Sequence, residues 1–241
     1  MQDLLFLVLL GIVAFLYASV GHGGASGYLA LMALFSFQPS LMKSSALILN
    51  IFVSLTSFIQ FYRAGHFRWK LFYPLALASV PMAFVGGIMP ISDSLYKKLL
   101  AICLILAIFR MVFKPQESKE QKEASFVGSL IMGACIGLLS GMLGIGGGII
   151  LSPILILLNW ANMKQTAAIS ALFILVNSLS GFAGLLSKGF EPNSQIYVWL
   201  VVAFSCGLAG SYFGSRKFNI PTLRYTLAGG LIIACLKLIF T

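Results

Sequence analysis

Only six acidic residues occur in this chain of 241, and charged residues of both signs together make up 9% of it. A soluble globular domain carries ~25%, so that class is excluded. None of the six acids, Asp3, Asp93, Glu117, Glu120, Glu123 and Glu191, falls near the middle of an apolar run. Carboxylate proton relays and metal-dependent intramembrane hydrolysis need acids there, so an enzyme is not expected. Histidine is equally scarce, with two, and Cys103, Cys135, Cys206 and Cys235 sit singly in apolar runs, without the spacing of a metal site or a disulfide framework. They read as small core residues, and no cofactor or metal is expected. The run Gly144-Ile145-Gly146-Gly147-Gly148 lacks the G-x-G-x-x-G spacing, a preceding strand and a following Walker lysine, which sets nucleotide binding aside.

What the chain does contain is apolar: 59% of its residues are hydrophobic and the mean hydropathy is +0.99. This is the composition of an all-α integral membrane protein. Apolar runs fall at 4–20, 25–37, 44–62, 71–90 and 95–113, then at 125–143, 148–160, 165–187, 194–214 and 219–240. A span needs about 20 residues, so 25–37 and 148–160 read as half-helices within about 8–10 helical segments. No basic segment precedes the first apolar run, which is therefore read as part of the mature protein rather than a signal peptide. The formal charge of +10 comes from Lys and Arg scattered through short loops. That pattern fits loops facing the cytoplasm and membrane lipid as the surroundings, and no nucleic acid.

The chain also resembles itself. An offset of 121 residues matches Gly23 with Gly144, Gly27 with Gly148 and Lys43 with Lys164, and an offset of 124 matches Ser54 with Ser178 and Gly86 with Gly210. A duplicated unit follows: 1–113 is the first membrane repeat, 114–124 a hydrophilic linker, and 125–241 the second repeat. Loop charges bear on orientation. If each glycine-broken element, 4–37 and 125–160, returns to the side it started from, eleven Lys and Arg collect on one side and five on the other. If each crosses once, the split is seven against nine. The positive-inside rule favours the first arrangement, which makes the repeats inverted and puts both chain ends outside the cytoplasm. Inverted repeats around broken helices imply alternating access.

The broken elements centre on Gly21-His22-Gly23-Gly24-Ala25-Ser26-Gly27 and Gly141-Met142-Leu143-Gly144-Ile145-Gly146-Gly147-Gly148. Lipid cannot satisfy the backbone groups that such a break frees, so it must line a cavity or be buried in protein. Where a helix restarts, unpaired N–H groups and the helix dipole favour an anion. The candidate substrate-binding residues are therefore Gly23, Gly24, Ser26, Gly27, Gly144, Gly146, Gly147 and Gly148, with Asn50 and Asn177 as amide donors from neighbouring spans. Ser19, Ser44, Ser45, Ser140, Ser152, Gln165, Thr166 and Ser170 are further polar groups in apolar surroundings. Competing structural readings are close helix packing for the glycines, back-bonding for the hydroxyls and interhelical hydrogen bonds for the amides. His22 is the one titratable group near the first break and a candidate for proton coupling, against a neutral histidine holding a carbonyl in place. His66, beside Arg68, Trp69 and Lys70, reads as an interfacial anchor.

Residues 141–157 closely resemble the glycine-rich signature of the sulfite exporter (TauE/SafE) family of bacterial membrane permeases. Gly144, Gly146, Gly147, Gly148 and Pro153 fall on the motif of the second half. Gly21, Gly23, Gly24 and Gly27 fit a variant of it in the first half, where the proline is missing around 30–32 and His22 departs from the commonest pattern. The resemblance implies a multi-pass inner-membrane transporter moving small sulfur-containing anions, such as sulfite, thiosulfate or organosulfonates, driven by an ion gradient. A passive anion channel with the glycine turns as its filter and a non-transporting membrane protein are the alternatives. Assembly as a homo-oligomer is compatible with the sequence.

Overall fold

The computed structural model describes residues 2–19, 23–112, 121–190 and 194–216. Every regular element among them is helical: α1 (Gln2–Ser19), α2 (Ala25–Leu34), α3 (Pro39–Arg63), α4 (Trp69–Ile88), α5 (Asp93–Val112), α6 (Phe126–Leu143), α7 (Gly148–Leu157), α8 (Met163–Leu186) and α9 (Gln195–Arg216). Five of these, over 39–63, 69–88, 126–143, 163–186 and 195–214, are long and apolar enough to cross a membrane. The run 219–240 lies outside the described residues, as does most of the linker, 114–120. Large apolar side chains such as Val8, Ile12, Ile102, Ile131 and Val201 point outward, which suits hydrocarbon and not water.

Both broken elements are hairpins that return to the end they started from. In the first, the Phe6 ring near the start of α1 lies 5.3 Å from Phe35 and 5.3 Å from Phe37, just past α2. Ser26 Oγ donates to the Tyr17 hydroxyl at 2.9 Å deeper in the same hairpin. In the second, the Lys122 amide ahead of α6 donates to the Asn159 carbonyl past α7 at 2.8 Å. The two hairpins enter from opposite ends of the bundle. The base of the first adjoins the start of α3, while that of the second meets the loop beyond the end of α3, where Arg68 donates to Gln121 Oε1 (2.7 Å) and the Trp160 carbonyl (3.1 Å). At 1.5 Å per residue, the 25 residues of α3 separate these bases by about 37 Å.

Helices α3 and α8 cross antiparallel, with Leu47 against Gly181 near one end and Phe61 clustered with Ala167 and Ala168 near the other. The flanking pairs combine helices of both halves. Gly133, Gly137 and Gly141 of α6 abut the backbones of Leu75, Ser79 and Ala83 of α4, and Gly210 and Gly214 of α9 abut those of Phe15 and Ser19 of α1. Small residues let these backbones meet in lipid, where area burial alone gives helices no reason to associate.

Two sequence readings change here. The half-helices stop at Leu34 and Leu157 rather than at 37 and 160, because Ser36 (φ 60°) and Asn159 (φ 55°) take the left-handed conformation. Each closes its helix with a six-residue bond, Phe37 N to the Met32 carbonyl (3.0 Å) and Trp160 N to the Leu155 carbonyl (2.9 Å). The core reading of the cysteines holds for Cys103, which is buried, and fails for Cys135, which is exposed on α6; Cys235 lies outside the described residues.

Candidate functional site

The two halves match as structures at an offset of 123 residues through the breaks, and the 121-residue sequence offset misplaces them by two. Gly24 caps the start of α2 at φ 92°, ψ 0°, and Gly147 caps that of α7 at φ 79°, ψ −14°. This is left-handed geometry that glycine adopts without the steric cost of a Cβ. Glycine at each N-cap leaves neither helix start a side-chain cap of its own. Along α3 and α8 the offset is 124, since Pro39 and Met163 open them. Asn50 therefore corresponds to Ile174, Val53 to Asn177, Ser54 to Ser178 and Lys43 to Ala167.

The breaks converge on one pair of these equivalent residues. A Cβ placed on Gly23 would lie 2.9 Å from Ile174 Cγ2 and 3.0 Å from Asn50 Oδ1. One placed on Gly146 would lie 2.6 Å from the same Ile174 Cγ2, 3.2 Å from Asn50 Nδ2 and 3.2 Å from Ser178 Oγ. Asn50 and Ile174 thus stand between two helix restarts that come from different halves of the chain. Asn50 Nδ2 donates to the Gly144 carbonyl at 3.3 Å, while Asn50 Oδ1 and Ser178 Oγ are buried without a partner among the described residues. Ser54 Oγ donates to the Asn50 carbonyl at 2.5 Å. Two uncapped helix starts place two sets of partial positive charge at one locus.

Other expected residues sit differently. Gly27 faces Val13 and Tyr17 within its own hairpin, Gly24 faces the Tyr28 ring, and Gly148 faces Ile174 and Ser170. Asn177 Nδ2 donates to the Phe173 carbonyl of its own helix at 2.9 Å, and its Oδ1 is buried without a partner among the described residues. Ser19, Ser44 and Ser152 bond back to carbonyls of their own helices, and Ser152 also shares a 2.7 Å bond with Ser170. Ser45, Ser140 and Thr166 are buried with no hydroxyl partner among the described residues. Gln165, expected within a span, instead completes a capping box with Asn162 at the start of α8 and accepts from Gln121. Gly21 and His22 lie outside the described residues. Among those described, no three His, Cys, Asp or Glu side chains come together.

At the bundle end that holds Arg63, Arg68, Lys70, Lys122 and Lys164, Phe67 packs on Phe58, Tyr62, Trp69 and Phe72 with centroid separations of 4.8–5.9 Å. Aromatic rings of this kind gather at the membrane–water boundary. His66 belongs to this loop, and burial, followed by the nearby Lys164 charge, holds its pKa below the usual histidine value.

Sequence reasoning missed Ile174 and Lys43. Ile174 gives no polar signal, and its place opposite Asn50 follows only from the crossing of α3 and α8. Lys43 was assigned to a loop, but it lies within α3 and is 8% exposed.

Comparison with known proteins follows the same outline. The model of the family described as Sulfite exporter TauE/SafE matches residues 5–238. A Sinorhizobium fredii protein named "Probable membrane transporter protein y4hK" is 33% identical over 238 residues, which cover 95% of each chain. A Methanocaldococcus jannaschii protein of the same designation is 28% identical over 222 residues, covering 86% of this chain and 81% of that one. No solved structure matches.

Proposed function

Since the chain belongs to the sulfite exporter TauE/SafE family and is a multi-pass membrane transporter of it, we propose that it carries a small sulfur-containing anion across the inner membrane by alternating access. The observation that carries this reading is the meeting of two uncapped helix starts, from different halves, at Asn50. A compact oxyanion there accepts from the backbone N–H groups that open α2 and α7, beside Gly23, Gly146, Gly147 and Gly148, which place no side chain of their own over them. Ser26, Asn50, Ser178 and Asn177 add side-chain polar groups close by, so a sulfur oxyanion is held by dipoles without a fixed counter-charge at the centre.

The antiparallel crossing of equivalent helices α3 and α8, and the entry of the two hairpins from opposite ends, support inverted repeats. In that architecture, exchanging the conformations of the two halves turns the same site from one side to the other. The end that carries Arg63, Arg68, Lys70, Lys122 and Lys164 faces the cytoplasm by the positive-inside rule, which leaves the start of α1 outside. An ion gradient drives the cycle, with His22 as the group that takes up a proton.

Counterflow in proteoliposomes tests the reading. Vesicles preloaded with unlabelled sulfite, thiosulfate or a short alkanesulfonate should accumulate the labelled anion faster than empty ones. Influx indifferent to the internal anion would identify a pore with the glycine turns as its filter, and no flux of any of these anions would refute sulfur-anion transport.

A further inference from the structure

The Lys43 ammonium donates to the carbonyls of Gly86 (3.3 Å) and Gly87 (3.1 Å) in the last turn of α4. Its backbone lies against the second break, where a Cβ on Gly144 would stand 2.7 Å from the Lys43 carbonyl oxygen. No carboxylate of a described residue is paired with it. Burying an ammonium is costly unless an opposite charge or several acceptors compensate. The carbonyl end of α4 does so in part, through its dipole, but a neutral donor would cap those carbonyls without the desolvation of a full charge. A cation here suits a negatively charged partner that comes and goes.

Its position relative to the candidate site is defined. Lys43 and Asn50 are seven residues apart, two turns along one face of α3, which sets them about 10 Å apart along the helix axis. Lys43 is the one nearer the end where α3 begins. The repeat equivalent of Lys43 is Ala167, which clusters with Phe61 towards the opposite end. The seam between α3 and α8 therefore carries a cation towards one end and a methyl group against an aromatic ring towards the other.

We propose that Lys43 is a charged gate of this carrier. An anion arriving from the end where α3 begins takes the ammonium from the Gly86 and Gly87 carbonyls and undoes that link between α3 and the end of α4, which stays packed on α6 and α8. It then passes along the α3 face to the helix starts at Asn50. The inference rests on the function proposed above and names a binding residue for it.

The test is concentration-dependent uptake of thiosulfate and sulfite into proteoliposomes by the full chain, with Lys43→Gln and Lys43→Arg, alongside melting temperatures in detergent. Glutamine is neutral and keeps an N–H donor on a stem one bond shorter, so Lys43→Gln should melt within a few degrees of the native protein while its half-saturating concentration rises about ten-fold or more. Arginine keeps the charge and should keep uptake within a few-fold. A folded Gln variant with native half-saturation overturns the gate while leaving the transport reading intact. A folded Arg variant that moves no anion overturns it too, and this arm decides if the Gln variant does not insert. Failure of the native protein to move any sulfur anion overturns the function reading and the gate together.

Discussion

Replacing Gly146 by alanine isolates the claim that the two breaks converge on Ile174. Gly146 has φ +68°, and the new methyl would stand 2.6 Å from Ile174 Cγ2, against the 3.5–4.0 Å at which carbon atoms rest. The left-handed backbone costs an L-residue about 1–2 kcal/mol and the overpacking about 1–3 kcal/mol, so the loss is about 2–5 kcal/mol. Gly189 is the control, since its φ is +77° and nothing lies within 4 Å of a Cβ placed there. Gly189→Ala should lose only the backbone part, about 1–2 kcal/mol. At 2–4 °C per kcal/mol for a chain of this size, Gly146→Ala should melt about 2–12 °C below Gly189→Ala in detergent. It should also lose uptake that Gly189→Ala retains. Adding Ile174→Ala to Gly146→Ala removes the offending methyl, so the double-mutant cycle should recover about 1–3 kcal/mol as a favourable coupling. Equal melting of the two single glycine variants, or a cycle with no coupling, would refute the convergence of the breaks on Ile174.

The remaining predictions concern the side chains and helix contacts around that point. Asn50→Leu loses the bond to the Gly144 carbonyl and the amide between the helix starts, so uptake should fall about ten-fold or more; Asn177→Leu, whose Nδ2 bonds only its own helix, should fall less, and the reverse order would count against the site. His22→Gln should keep counterflow but lose stimulation by a pH gradient, measured by acidifying one side of the vesicle membrane; a retained response excludes His22 as the coupling group. Gly137→Ala drives a methyl into the Ser79 backbone, which cannot step aside, whereas Gly128→Ala meets nothing closer than 3.5 Å. The first should lower the melting temperature clearly, and the second should leave it level or raise it slightly, because alanine favours the helix by up to about 1 kcal/mol.

The sequence made legible what lipid enforces on a backbone. Two glycine clusters had to break helices, and two short apolar runs had to be half-helices, because hydrocarbon leaves no other place for such segments. The starts of α2 and α7 were readable from Gly24 and Gly147. Their ends were not, because Ser36 and Asn159 take positive φ without being glycine, and neither residue advertises this. The repeat was visible but its register slipped: with glycine at 144, 146, 147 and 148, matching identities alone lets Gly23 slide by two. Gln165 was misread because a cap at a helix start looks like a polar residue within a span until the first turn is placed. Lys43 and Ile174 escaped for a different reason. Their roles come from packing between helices more than 40 residues apart in sequence, and no local pattern encodes that.

What the halves share and what they do not share divides along a physical line. Both repeats keep a left-handed glycine cap, a ten-residue helix with no side-chain cap, a left-handed closing residue and a serine at Ser54 or Ser178. These are backbone requirements, and each half must meet them separately because each carries its own break into the bundle. The side chains of the equivalent helices α3 and α8 diverge: Asn50 against Ile174 at the meeting point, and Val53 against Asn177 and Lys43 against Ala167 farther along. A two-fold arrangement of identical side chains would present the same surface to a guest from either half and the same barrier at either end. In the proposed carrier, substituting one member of each equivalent pair would leave the scaffold able to exchange conformations between halves, while making the two faces of the anion and the two ends of its route chemically different. In the proposed cycle the ion gradient sets the direction of net movement and the unmatched pairs carry the selectivity, so exchanging Asn50 with Ile174 in a double variant that still folds should alter which anion is preferred more than how fast the carrier turns over.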